Sequence, residues 1–196
     1  MNDHDNAARA RAGHQVSRLV RTGSCRLAHA SRPDHGRTES GNVKRVLITG
    51  MSGTGKSSLL HELAARGHRT ADTDYGGYFE TVDGERLWRE DRIGALLSSA
   101  ADELPGVLFV QGTTRNRALF YPRFNHIVLL SAPAEVLAER LATRITNPYG
   151  KDPAELAETL EYQQTVEPLL RAAATLEVVT TVPVTQVADI VLDHLW

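Results

Sequence analysis

Apolar residues along this chain fall into two kinds of run. Short, unbroken runs occur at Val46-Leu47-Ile48, at 107–110 and at 127–130. Longer stretches repeat apolar positions at helical spacing, as with Leu59, Leu60, Leu63 and Ala64, where Gly67 supplies a stop. The pattern predicts strands over 45–49, 70–72, 107–110, 127–130 and 178–179. It predicts helices over 58–66, 85–101, 133–145, 153–174 and 184–195. The 85–101 helix takes Leu87, Trp88, Leu96, Leu97 and Ala100 as its apolar set and ends before Pro105-Gly106. Residues 75–83 read as a loop, with Gly76-Gly77 and Asp83-Gly84 as turn signals, and 147–150 read as another. Strands that are apolar throughout and separated by helices predict an α/β fold. Its parallel sheet would be covered on both faces, with ligands beyond the carboxyl ends of the strands.

Composition changes the picture at one end. In residues 1–42 seven arginines outnumber four acids, and large apolar side chains are nearly absent. Such a segment cannot bury enough surface to offset its ordering entropy, so a disordered basic extension is expected there. A nucleic-acid arm, an organellar transit peptide and a dispensable extension all fit that composition, the last best. The folded domain is expected over 43–196, in a chain of 196 residues with a net charge of −2. That balance makes no case for nucleic acid or an anionic membrane as partner. Cys25 is the only cysteine, so no intramolecular disulfide forms. No apolar run approaches a membrane span, and the expected location is the cytoplasm.

The candidate chemistry begins where the first strand ends. Gly50-Met51-Ser52-Gly53-Thr54-Gly55-Lys56-Ser57-Ser58 contains the phosphate-loop pattern G-x-x-x-x-G-K-[ST] between a strand and a helix. Backbone N–H groups and the helix dipole would face a polyphosphate there. Lys56 would reach the β- and γ-phosphates of ATP, and the Ser57 hydroxyl would ligate Mg²⁺. Asp72-Thr73-Asp74 follows the second strand. One carboxylate can face the metal while the other orients an acceptor hydroxyl. The competing reading is a solvated turn. Arg86, Arg89 and Arg92 share a side of the expected helix, either to clamp an anion or as a basic face paired with Glu85, Glu90 and Asp91. Gln111 to Arg117 ends the third strand and offers polar donors to the cleft, or is an ordinary polar loop. Arg140 and Arg144, four apart on a helix, read either as nucleotide contacts or as a solvated face with Glu135 and Glu139. His61, His68, His126 and His194 show no metal-ligand spacing.

The order Gly50 to Ser57, Asp72-Thr73-Asp74, Gly84-Glu85-x-x-Trp88-Arg89 resembles shikimate kinase and its relatives, gluconate and nucleoside monophosphate kinases among them. The resemblance implies a three-layer P-loop fold with a five-stranded parallel sheet of order 2-3-1-4-5 and a mobile lid after the fourth strand. It implies Asp74 at the acceptor hydroxyl and Asp72 assisting Mg²⁺. Arg89 would hold a substrate anion; where the chain departs from the family, Gly112, Arg115 and Arg117 in the stretch after the third strand would replace the lost substrate contacts. Arg140 and Arg144 would lie on the nucleotide side.

The departures are specific. A glycine run in that family is replaced by Gln111-Gly112-Thr113-Thr114-Arg115-Asn116-Arg117. The second substrate arginine is absent at Val166-Glu167-Pro168, and the lid's Arg-Pro reads Asn147-Pro148, with Lys151 nearby. Losing one charged hydrogen bond costs roughly 1.5 to 3 kcal/mol, about 10- to 100-fold in binding, so shikimate is not the expected acceptor. A GTPase would need Asn/Thr-Lys-x-Asp, which is missing. An ATP-driven motor would have an acid where Gln111 ends the strand. The expectation is an ATP- and Mg²⁺-dependent kinase of a small-metabolite hydroxyl, monomeric or homodimeric. The alternatives are a nucleoside or nucleotide kinase and a non-catalytic ATP-binding module.

Overall fold

The computed structural model describes residues 43–99, 106–145 and 147–196. The expectation of disorder over 1–42 lies outside them. Five strands form one parallel sheet: β1 (Lys44–Thr49), β2 (Arg69–Asp72), β5 (Val107–Gln111), β6 (His126–Ser131) and β7 (Leu176–Val179). Their spatial order is β2-β5-β1-β6-β7. Counted among the parallel strands alone, that is 2-3-1-4-5, the order the family resemblance implies.

The unbroken apolar runs are explained by burial on two faces. Val46 and Ile48 join a core with Leu59, Leu63, Phe109, Val128, Val187 and Val191, under helices α1 (Lys56–Ala65) and α6 (Val184–His194). Leu47, one residue out of phase, joins the opposite core with Trp88, Ile93, Leu97, Leu108, Val110 and Phe120. Side chains alternate across a strand, so a central strand covered on both faces must be apolar at every position. Helix α1 ends as Gly67 suggested. The Gly67 N–H donates to Ala64 O and the His68 N–H to Leu63 O, with Gly67 at φ +86°.

Three element predictions need correction. The expected helix over 85–101 begins instead as a strand, β4 (Glu85–Trp88), paired antiparallel with β3 (Phe79–Val82), where the sequence predicts a loop. Helix α2 runs only over Glu90–Ser99. The cause is the two-residue turn at Asp83-Gly84, both at positive φ (51° and 80°), which suits the right-handed twist of a hairpin. Arg86, Arg89 and Arg92 therefore do not share one helix face.

The single helix expected over 153–174 is two, α4 (Pro153–Thr165) and α5 (Glu167–Ala173). They break at Val166 (φ −102°, ψ −40°), because Pro168 has no N–H to continue the ladder and is tolerated only in a first turn. The third correction is to helix α3, which spans Ala134–Thr143. It leaves Arg144 in an extended cap rather than on the helix face with Arg140. A 3-10 helix, Arg115–Arg123, occupies part of what read as polar loop.

Candidate functional site

The loop between β1 and α1 is shaped by close approach. A Cβ on Gly50, at φ +147°, would lie 2.2 Å from Leu130 O, so only glycine lets β1 leave the sheet there. Thr54 is fully buried and donates to Met51 O at 2.8 Å, closing the loop on itself. Lys56 folds back over the loop, its Nζ donating to Gly50 O (2.8 Å) and Met51 O (2.9 Å). Burial pushes its ammonium down to about 8, against the pull of Asp74 and Asp72, which favours the charged form; Arg144 adds to the depression. No side chain caps the start of α1, its first turn holds no acid, and Ser57 and Ser58 are exposed. An uncapped helix N-terminus beside a half-buried ammonium, whose hydrogen bonds among the described residues go to carbonyls, is a fit for a polyphosphate. Gly50, Ser52, Gly53, Thr54, Gly55, Lys56, Ser57 and Ser58 all lie in this loop or in the first turn of α1.

The acid pair is anchored through its middle residue. Thr73 is fully buried. Its hydroxyl donates to Gln111 O at 2.7 Å and accepts from Trp88 Nε1 at 2.9 Å. Asp72 and Asp74 flank that anchor, and the Asp74 N–H donates to Asp72 Oδ1 at 2.9 Å. Gln111 Nε2 donates to Asp72 Oδ1 at 2.5 Å and lies 3.4 Å from Asp74 Oδ2. Gln111 pairs with Ile48 on one side and Asp72 on the other, which puts the start of the phosphate loop and the Asp pair at one edge of the sheet, and both acids favour the charged form of Lys56. Among the described residues no group of three His, Cys, Asp or Glu can hold a metal by itself. A divalent ion would rest on Ser57, Asp72 and the phosphates it accompanies.

The sequence leaves the strand-end loop that follows Gln111 as either a supply of donors to the cleft or an ordinary polar loop, and the structure gives its members separate contacts. Thr113 Oγ1 shares a hydrogen bond with Thr49 Oγ1 (2.9 Å) and donates to Gly50 O (3.1 Å), tying this loop to the start of the phosphate loop. Asn116 brackets the backbone of Trp88, accepting from its N–H (3.0 Å) and donating to its carbonyl (2.8 Å). Gly112 is buried, and a Cβ there would stand 2.4 Å from Thr73 Oγ1 and 2.5 Å from Trp88 Cζ2. Its place is packing under Trp88. Nothing in the local sequence signals these contacts, because each joins strands far apart in the chain.

The arginines are sorted by partner. Arg89 is ion-paired to Asp91 at 3.0 Å and Arg115 is ion-paired to Glu85. Arg117 has neutral partners, Tyr121 Oη at 2.9 Å and Thr114 O at 2.6 Å. Arg86 stacks 3.7 Å over the Phe79 ring and donates to Asp74 O at 3.4 Å. The hairpin thus sets Arg86, rather than Arg89, against Asp74.

Beside the phosphate loop, Arg140 donates to Gly53 O (3.3 Å), Thr180 Oγ1 (2.9 Å) and Thr180 O (2.5 Å). Arg144 lies 3.4 Å from Ser52 Oγ and donates to Tyr149 O at 2.5 Å; burial lowers its pKa, and its Nε has no partner among the described residues. Both arginines touch the phosphate loop although only one is helical. Residues 147–150 are held by local hydrogen bonds. Asn147 Oδ1 accepts from the Tyr149 N–H (2.9 Å), and the Gly150 N–H donates to Glu155 Oε2 (2.7 Å).

A parallel sheet whose first strand feeds a glycine loop and a helix N-terminus defines the P-loop α/β class. Residues 46–161 match the AAA domain family, and the chain belongs to it. Its fold is shared by a shikimate kinase from Acinetobacter baumannii solved in complex with shikimate. That protein is 19% identical, with 79% of this chain and 94% of that chain covered and a TM-score of 0.56. A gluconokinase from Sinorhizobium meliloti 1021 is 20% identical, with 78% and 91% covered and a TM-score of 0.51. A sugar kinase from Janibacter sp. HTCC2649 is 22% identical, with 78% and 94% covered and a TM-score of 0.51. The chain resembles this group of small-molecule kinases, and at these identities the likeness is one of fold. No curated protein matches the chain in sequence.

Proposed function

We propose that the protein is an ATP-dependent kinase that transfers a phosphoryl group to a hydroxyl of a small metabolite other than shikimate. The observation that carries this reading is that the phosphate loop closed by Lys56 and the Asp72/Asp74 pair follow β1 and β2 on either side of Gln111, at the carboxyl end of β5. Bound ATP with Mg²⁺ supplies the phosphoryl donor and the positive charge that screens it. The rest is the work of this chain. The uncapped turn at Gly55 to Ser58 and the Lys56 ammonium hold phosphate oxygens. Ser57 and Asp72 stand where a divalent ion would be ligated or its waters held. Exposed Asp74 orients an acceptor hydroxyl and accepts its proton. Arg86 and Arg117, whose partners are neutral, are the cations on the acceptor side, with Arg89 and Arg115 already paired.

The test is ATP turnover against a panel of sugars, polyols, hydroxy acids including shikimate, and nucleosides. Wild type, Lys56→Ala and Asp74→Asn are compared. With the acceptor identified, Asp74→Asn is expected to lose about 10²- to 10⁴-fold in kcat while still binding ATP. Turnover by Asp74→Asn at the wild-type rate would remove its role. Tight ATP binding with no stimulating acceptor would favour a binding module, and rapid turnover of shikimate would overturn the exclusion.

A further inference from the structure

Gln111 ends β5 fully buried, yet its amide points at two carboxylates. One nitrogen carries two hydrogens, and Nε2 sets them toward Asp72 Oδ1 (2.5 Å) and Asp74 Oδ2 (3.4 Å). The reversed amide would press its oxygen against the Asp72 carboxylate, so the acids themselves dictate the orientation. That leaves Gln111 Oε1 buried with no partner among the described residues. An orphaned buried acceptor is costly unless a donor arrives in the working state. The carboxylates are constrained further by the Asp74 N–H bond to Asp72 Oδ1. Asp72 Oδ2 and Asp74 Oδ1 take part in none of these bonds and remain for reactants.

We propose that Gln111 is a positioning residue of the phosphoryl-transfer site, a neutral clamp that holds Asp72 and Asp74 side by side with one oxygen of each open. Its own Oε1 accepts a hydrogen bond brought by the bound reactants, such as a water on the divalent ion. An acid at this strand end would add a third negative charge beside the pair. An amide supplies two donors instead, so both carboxylates can act at once without mutual repulsion driving them apart. This inference rests on the phosphoryl-transfer reading for the purpose of the clamp, but the clamp itself can be observed without turnover.

The experiment compares wild type with Gln111→Met, which keeps the length and loses the amide, and Gln111→Asn, which keeps the amide and loses the reach. The first readout is binding of a fluorescent ATP analogue with and without Mg²⁺. The tightening that Mg²⁺ gives the wild type is expected to fall about 10-fold in both variants, with metal-free binding within 2- to 3-fold of wild type. The second is the Gln111 side-chain amide resonance in ¹⁵N spectra, identified by its loss in Gln111→Met. It is expected to shift in Asp72→Asn and again in Asp74→Asn. The third, once an acceptor is known, is a drop in kcat of about 10- to 100-fold with little change in the KM for ATP.

An amide resonance indifferent to both aspartate changes would overturn the clamp. So would an undiminished Mg²⁺ effect in Gln111→Asn, or an equal loss of metal-free binding in both variants, which marks a purely structural role. If the Mg²⁺ effect falls and the resonance shifts but no acceptor is ever phosphorylated, the clamp stands and the kinase reading fails.

Discussion

Lys56 shows how a single residue reports the state of the site. Its ammonium is held at about 8 because burial costs the charged form more than the loop carbonyls and the Asp pair return. The unfolded chain keeps the ordinary value of 10.5, so between about pH 8 and 10.5 the unfolded state binds more protons than the folded one. The ligand-free protein is therefore expected to gain stability as pH rises through that window. Nucleotide affinity runs the other way. A polyphosphate favours the charged lysine, so binding at pH 8.5 to 9 takes up a proton, and affinity falls as pH rises above 8, by up to about tenfold per pH unit. Calorimetry in two buffers of different ionisation enthalpy measures that uptake. Lys56→Met should abolish both the uptake and the slope. The motif was legible at this scale because the G-x-x-x-x-G-K-S spacing is local. Gln111 was not, because its meaning comes from residues 37 and 39 positions away.

At the scale of elements, the hairpin β3–β4 is the piece that brings Arg86 to the Asp74 carbonyl. Its turn chemistry was present in Asp83-Gly84, but the apolar Leu87 and Trp88 also fit a helical pattern, and a short run admits both periods. Tertiary bonds settle it. Trp88 is drawn under Thr73, and Asn116 satisfies its backbone as a neighbouring strand would. Asn116→Ala is expected to cost about 1 to 3 kcal/mol by leaving that half-buried backbone unpaired. Hydrogen exchange should then show lost protection at the Trp88 amide while protection in β1 persists. Nucleotide binding should change little, since among the described residues no hydrogen bond or ion pair joins the hairpin to the phosphate loop, and the KM for the proposed acceptor should rise. Wild-type protection of Trp88 in the variant would show that the hairpin docks without Asn116.

At the scale of the described domain, the site is stitched across the sheet by Arg140. It joins Gly53, after the first strand, to Thr180, after the last. Arg140→Lys keeps the charge but not the planar fork, so it should not replace these contacts. The expected outcome is a loss of about 1 to 3 kcal/mol, a fall in the thermal midpoint of several degrees, and several-fold weaker nucleotide binding. A lysine variant with wild-type midpoint and affinity would show the fork to be dispensable.

The sequence alone determined the parallel sheet with two covered faces, the phosphate loop and the strand-end acid pair. Each of these is written in runs of a few consecutive residues, as apolar continuity, glycine spacing or a tripeptide after a strand. Only the tertiary structure decided which arginines are already paired and that Arg86 stands against Asp74. It also decided that Gly112 is filled by Trp88 and that Gln111 holds the two carboxylates. Those facts depend on distances between segments that the chain brings together only when the parallel sheet forms, and no local pattern encodes them.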